Sequence, residues 1–201
     1  MPTPKILVLP GSTRASSHNV RLAALAAKEL TLLDVDVTRI SLADYPLPIY
    51  DADFDARTGQ PANALKLKQM IMAHQGVFIA SPEYSASVTP ILKNAIDWVS
   101  RVRERSDPTY AAFKGRVFAI ASASPGRAGG LRSLMALRQI LELGCGALVI
   151  HTRTSGNPAV RQRIRRDGQY CRYRHAARTV GGNGPAYGKG RMTCRWTRAN
   201  G

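Results

Sequence analysis

Short apolar runs and amphipathic stretches alternate along the first 150 residues. Lys5 to Leu9 (Lys-Ile-Leu-Val-Leu) is nearly continuous in hydrophobicity and closes at Pro10-Gly11, the pattern of a strand buried on both faces. From about residue 18, Leu22, Leu25, Ala26, Leu30 and Leu33 recur at helical spacing on an Ala-rich segment. Val35 to Ile40 alternates as a second strand, and the Pro- and Asp-rich stretch over about residues 44 to 60 reads as a loop. Residues 62 to 74, with Leu65, Leu67, Met70, Ile71 and Met72, predict a helix, and Gly76 to Ala80 a third strand. Ile91, Leu92, Ala95, Ile96 and Val99 mark the apolar face of a helix running to about Val102. Arg116 to Ala121 is a fourth strand, Leu131 to Leu143 a further helical stripe, and Gly146 to Ile150 a fifth strand.

Five strands separated by helices require crossover connections, which are right-handed and cover a parallel sheet on both faces. The expected fold is a doubly wound α/β domain over residues 1–150. In such a sheet ligands sit outside the carboxyl ends of the strands where the strand order reverses. For a 2-1-3-4-5 order that point lies between strands one and three.

Composition alters this picture at one end of the chain. The 201 residues allow one domain with an appendage, and 44% apolar with 21% charged side chains is a globular balance. The net charge of +16 is unevenly distributed: residues 1–150 contribute +5 and residues 151–201 contribute +11. That last segment holds 11 Arg, one Lys, one Asp, eight Gly and no Leu, so the physical expectation for it is disorder. Its Arg residues are interleaved with Tyr170, Tyr173, Tyr187 and Trp196, which suits a polyanion or nucleic acid held by counterion release and stacking. The abrupt change of composition also reads as a shifted reading frame. That second reading is favoured, because a dedicated arm would leave the closing helix of the domain intact. No run approaches the roughly 18 to 20 apolar residues of a membrane span, so a soluble, cytoplasmic protein is expected. Cys145, Cys171 and Cys194 are odd in number and form no Cys-x-x-Cys pair, which argues against a disulfide framework and a cysteine zinc site.

The informative loops follow strands one and three. Gly11-Ser-Thr-Arg-Ala-Ser-Ser-His-Asn19 places Ser12, Thr13, Ser16, Ser17, Asn19 and the cation Arg14 before a helix whose amides attract anions. Neither Gly-x-Gly-x-x-Gly nor a P-loop Gly-Lys-Ser/Thr is present, so a terminal monophosphate suits the loop better than a pyrophosphate. The plain alternative is a polar turn with Ser17 or Asn19 as an ordinary N-cap. Ser81-Pro-Glu-Tyr-Ser-Ala-Ser87 places Pro82 and Tyr84 where a flat heteroaromatic could lie. The third loop, Ser122 to Gly130, offers Gly126, Gly129 and Gly130 for close backbone approach and decides nothing alone.

A monophosphate beside a planar pocket at the point of strand-order reversal suggests FMN. Gly-Ser-Thr-Arg with Ser17 and Asn19, then Ser81-Pro-Glu-Tyr84, then Leu92-Lys-Asn-Ala-Ile-Asp-Trp98, resembles the NADPH-dependent FMN reductase family, flavodoxin-like proteins that include flavin, quinone, chromate and azo-dye reductases. The resemblance covers about residues 4 to 150. It implies that Ser12, Arg14, Ser17 and Asn19 hold the FMN phosphate, that Pro82, Glu83, Tyr84 and Ser85 line the isoalloxazine ring, and that Ser122 and Gly126 neighbour the ring or the ribityl chain. Ser85 departs from the Asn common in the family. The resemblance further implies NADPH or NADH as donor, a small acceptor such as a free flavin, quinone, azo dye or chromate, and a homodimer or homotetramer. Relatives close with a helix after strand five, and nothing after Ile150 carries a clear apolar helical stripe, so that helix is expected to be missing or altered. Trp98 and Ile96 are expected to pack at a subunit or core surface. No catalytic side chain is assigned, since in a flavin enzyme the cofactor carries the hydride chemistry. The competing class is a protein without turnover, either a flavin electron carrier or a polyanion binder acting through the tail.

Overall fold

The computed structural model describes residues 3–155 apart from Arg105 and Arg127. Five strands, β1 (Lys5–Pro10), β2 (Asp36–Arg39), β3 (Gly76–Ala80), β4 (Val117–Ala123) and β5 (Leu148–Ser155), form one parallel sheet in the order β2-β1-β3-β4-β5. Five α-helices connect them: α1 (His18–Thr31), α2 (Ala52–Thr58), α3 (Ala62–Met72), α4 (Pro90–Arg101) and α5 (Leu131–Gln139), the last continuing into a π-turn over Ile140–Gly144. This is the doubly wound arrangement expected from the alternation of patterns, in the flavodoxin-like form that the family resemblance implied.

Because successive side chains of a strand point to opposite faces, the strands build two cores. Leu7, Leu9, Val77, Ile79, Phe118, Ile120 and Val149 pack beneath α3, α4 and α5 through Leu67, Ile71, Leu92, Ile96, Leu134 and Leu137. Ile6, Val8, Phe78, Ala80, Ala121 and Ala123 meet Leu22, Ala23 and Ala26 of α1. Among the described helices, right-handed crossovers in this strand order place α1 alone on the second face. There Leu148 and Ile150 are 53% and 41% exposed, whereas Val149 between them, on the first face, is 8% exposed. The Arg-rich segment expected to be disordered from residue 151 instead begins as strand, since residues 151–155 belong to β5. Residues 156–201, with the expected altered helix, Cys171 and Cys194, lie outside the described residues. Among the described residues no helix is long and apolar enough to cross a membrane.

Several boundaries differ from the sequence expectation. The stretch expected as a loop contains α2, which buries no residue and starts where the Asp51 carboxylate accepts from the Phe54 amide at 2.6 Å. β5 runs five residues beyond Ile150, because its backbone ladder follows β4 as far as Ser155. α1 ends at Thr31, and Leu33, assigned to the buried stripe, is 38% exposed.

Trp98 is fully buried, and its partners explain much of the Leu92–Trp98 motif. Its indole N–H donates to the Pro48 carbonyl at 2.7 Å, and Asn94, one helical turn earlier, donates to the same carbonyl at 2.8 Å while accepting from the Tyr50 amide. Tyr50 and Phe54 meet the indole edge-on. The motif thus fastens the Pro-rich segment onto α4. Lys68 of α3, also fully buried, does the same for the segment after α4: its ammonium donates to Glu104 at 3.0 Å and to Asp107. Burial opposes that charge, but the two carboxylates outweigh it and raise the lysine pKa. His74 is held at its helix end by its own Nδ1 against the Met70 carbonyl, and burial pushes the Cys145 thiol up to about 11.

Candidate active site

Every residue singled out in the three loops lies at the carboxyl ends of β1, β3 and β4, where the chain leaves β1 toward β2 on one side while β3 pairs on the other. Buried hydrogen bonds tie the loops to one another. The Thr89 hydroxyl, N-cap of α4, donates to the Gly11 carbonyl at 2.5 Å, joining the first loop to the start of α4. The Gly11 amide donates to Ala80 and the Ser81 amide to Ala121. Gly11 is closely packed: a Cβ there would lie 2.9 Å from Leu92 Cδ2 and 3.4 Å from Pro82 Cδ, so Leu92 would have to shift.

In the first loop, Thr13 to Ser16 are exposed while Ser12 and Ser17 are buried at its two ends. The Ser17 hydroxyl accepts from the Asn19 amide at 3.2 Å, capping α1, and the Ser12 hydroxyl accepts from the Arg14 amide at 3.3 Å. Each hydroxyl retains its proton for donation. Arg14 is exposed and has no carboxylate partner among the described residues, and the first turn of α1 holds no acidic side chain. A helix N-terminus, two hydroxyls and an unopposed guanidinium form a donor set suited to a phosphate monoester.

Asn19 braces the scaffold. Its amide donates to the Ala123 carbonyl at 2.9 Å and its carbonyl accepts from the Ala123 amide at 2.9 Å. One donor and one acceptor of the side chain thus clamp α1 onto the end of β4.

In the second loop the polypeptide doubles back at Tyr84–Ser87, whose backbones exchange two hydrogen bonds of 2.9 and 3.0 Å. The two central residues, Ser85 and Ala86, have φ of 47° and 62°. Such a tight turn normally carries Asn-Gly, and side chains in this region are disfavoured. Ala86→Gly is expected to raise unfolding free energy by about 1 kcal/mol, read as a higher urea midpoint. A lower midpoint would contradict the described backbone. Tyr84 is 49% exposed, so its ring stands open at the mouth.

Glu83 and Pro82 are held from below. The Ser133 hydroxyl donates to the Pro82 carbonyl at 2.8 Å and pairs with the Ser81 hydroxyl at 2.9 Å. Arg132 Nε donates to Glu83 Oε1 at 2.7 Å, and its terminal nitrogen reaches the same oxygen. Burial disfavours the charge on Glu83, but the guanidinium, aided by the amides of Ser133 and Arg132, holds its carboxyl below the usual range. The carboxylate thus supplies negative charge to the N-terminus of α5, whose N-cap, Gly130, has no side chain to offer.

The third loop shifts the emphasis of the sequence reading. Gly126 has room for a Cβ, with Ser124 Oγ 3.5 Å away, whereas Gly130 has φ of 87° and an added Cβ would sit 1.9 Å from Ser122 Oγ. Ser122 is 1% exposed and its hydroxyl is buried without a hydrogen-bond partner among the described residues. Its hydroxyl lies beneath Gly130. Gly130 is among the glycines singled out from sequence for close backbone approach, whereas Thr89, Arg132 and Ser133 were not singled out. A Thr before Pro90 was the one local signal, a recurrent N-cap pattern.

Comparisons with known proteins agree with this geometry. The profile of the family described as NADPH-dependent FMN reductase matches residues 4–159. A quinone reductase of Escherichia coli (strain K12) is 37% identical over 138 residues, spanning 68% of this chain and 69% of that protein. An NAD(P)H-dependent FMN reductase of Pseudomonas aeruginosa shows the same identity over the same length and shares of both chains. Among solved structures, FerB, a flavoenzyme NAD(P)H:(acceptor) oxidoreductase from Paracoccus denitrificans, superposes with a TM-score of 0.61 at 28% identity, covering 74% of this chain and 75% of its own. With the strand order, the loop chemistry and these relatives in agreement, the chain belongs to the NADPH-dependent FMN reductase family.

Proposed function

We propose that this protein is an FMN-dependent oxidoreductase that takes electrons from NADPH or NADH and delivers them to a small acceptor, with a quinone the first to test. The observation that carries the reading is the pairing of two loops across the point of strand-order reversal: the anion-suited loop Gly11–Asn19 and the loop bearing Tyr84, joined through Thr89 and Gly11. The residues fit the group on their own chemistry. Arg14 lacks a competing carboxylate among the described residues, Ser12 and Ser17 keep protons to donate, and Tyr84 offers an open aromatic face.

In this reading Arg14, Ser12, Ser17 and the α1 amides bind the phosphate, and Pro82, Tyr84 and Ser85 border the ring. Asn19 acts indirectly, fixing the start of α1 against β4. FMN held by these residues would supply the redox chemistry between the nicotinamide donor and the acceptor. The loops would orient the group, with the exposed tip at residues 84–87 bordering it. A cytoplasmic homodimer or homotetramer completes the proposal, with the second subunit adding to the wall of the site.

The visible absorption spectrum of the purified protein tests it. A flavin spectrum, present as isolated or after adding FMN, that bleaches with NADPH and recovers with quinone is the expected result. Protein that carries no flavin and refuses FMN on titration would refute the reading.

A further inference from the structure

Glu83 lies within the ring-lining motif, yet its carboxylate is turned onto α5, 9% exposed and paired with Arg132. Its other oxygen, Oε2, is buried with no hydrogen-bond partner among the described residues. This is an unusual use of a carboxylate one residue from a ligand-facing turn. That turn is also unusual, because Ser85 and Ala86 both have positive φ and neither is Asn or Gly. Residues in sparsely populated backbone regions persist only where their surroundings over-determine them.

We propose that the Glu83–Arg132 ion pair is a positioning device for the flavin-facing turn Tyr84–Ser87, holding a backbone geometry that the turn's own residues disfavour. The proposal rests on the assignment of this site to FMN. Downstream of the turn, Val88 and Thr89 are buried and Thr89 is tied to Gly11. Upstream, Ser81 and Pro82 are tied to Ser133, and Glu83 is the last residue fixed before the exposed tip. Two nitrogens of one planar guanidinium converge on one carboxylate oxygen, which restricts orientation more than a point contact would. Residues 84–87 are all exposed. Losing the pair therefore releases the tip while the two cores stay intact. A released tip must be ordered again when the planar ligand binds, so affinity falls more than stability does.

The experiment uses the full chain freed of flavin, in the variants E83Q, R132M, A86G and the double variant E83Q/A86G. FMN affinity is measured by quenching of flavin fluorescence, tip order by hydrogen exchange of the amides of residues 84–87, and stability by the urea midpoint. E83Q and R132M are each expected to weaken FMN binding by about 10-fold or more and to speed exchange in the tip. The double variant should recover most of the affinity, because Gly adopts the turn without help. Unchanged affinity in both single variants, a loss that merely tracks the urea midpoint, or no recovery in E83Q/A86G would overturn the proposal. If the unaltered protein fails to bind FMN, the functional assignment falls, and exchange in E83Q still decides whether the pair orders the turn.

Discussion

Replacing Arg14 and Ser17 together by Ala is expected to weaken FMN binding roughly 100- to 1,000-fold, about 3–4 kcal/mol. The guanidinium contributes the larger share, because it is exposed, without a carboxylate partner among the described residues, and replaceable without disturbing any core contact. Ser17 is less simple, since its hydroxyl caps α1 and its loss alone costs about 1 kcal/mol of stability. Ser17→Asp separates the two roles. The aspartate keeps a capping oxygen at the helix start but sets a negative charge where a phosphate dianion should lie. Ser17→Asp should therefore unfold at or above the urea concentration of the parent while failing to bind FMN. Undiminished FMN affinity in the Arg14/Ser17 double variant would remove the basis of the proposed function.

Asn19→Ala is expected to destabilise the protein by about 2–5 kcal/mol, the cost of leaving two buried backbone groups unsatisfied. Those groups are the amide and carbonyl of Ala123, itself 6% exposed, each bonded to the Asn19 side chain at 2.9 Å. Asn19→Asp is a sharper version. A carboxylate still accepts from the Ala123 amide, but it opposes the Ala123 carbonyl with negative charge where the native amide donates. Urea unfolding of both variants checks the prediction, and an unfolding free energy within about 0.5 kcal/mol of the parent would show that the clamp contributes nothing. FMN affinity measured below the unfolding transition separates this role from direct phosphate binding. A structural clamp leaves the remaining folded fraction with a near-native site, whereas a phosphate ligand does not.

The three inner strands were legible because each is a short apolar run buried on both faces, so hydrophobicity alone marks Ile6–Leu9, Val77–Ala80 and Phe118–Ala121. α2 was not legible. It is short, buries no side chain, and exists through the Asp51 cap and the reach of Phe54 to Trp98. The outer half of β5, His151–Ser155, was missed for a related reason: its residues are polar, and only the β4 backbone beside it shows that the ladder continues. The segment expected as a tail from residue 151 starts within that strand; its residues 156–201 lie outside the described residues and, after residue 159, outside the family match.

What the sequence by itself determined is the alternation of elements, the doubly wound sheet and the position of two chemically suggestive loops after β1 and β3. Periodicity and turn residues are local properties, written within a few positions of where they act. Which side chains in those loops hold the scaffold was decided only by tertiary structure. Asn19 bonds a residue 104 positions away, Thr89 one 78 positions away, and Glu83 one 49 positions away. A polar side chain near a site looks the same in sequence whether it binds or braces. The difference is whether burial brings it a partner from a distant segment, which local spacing does not encode.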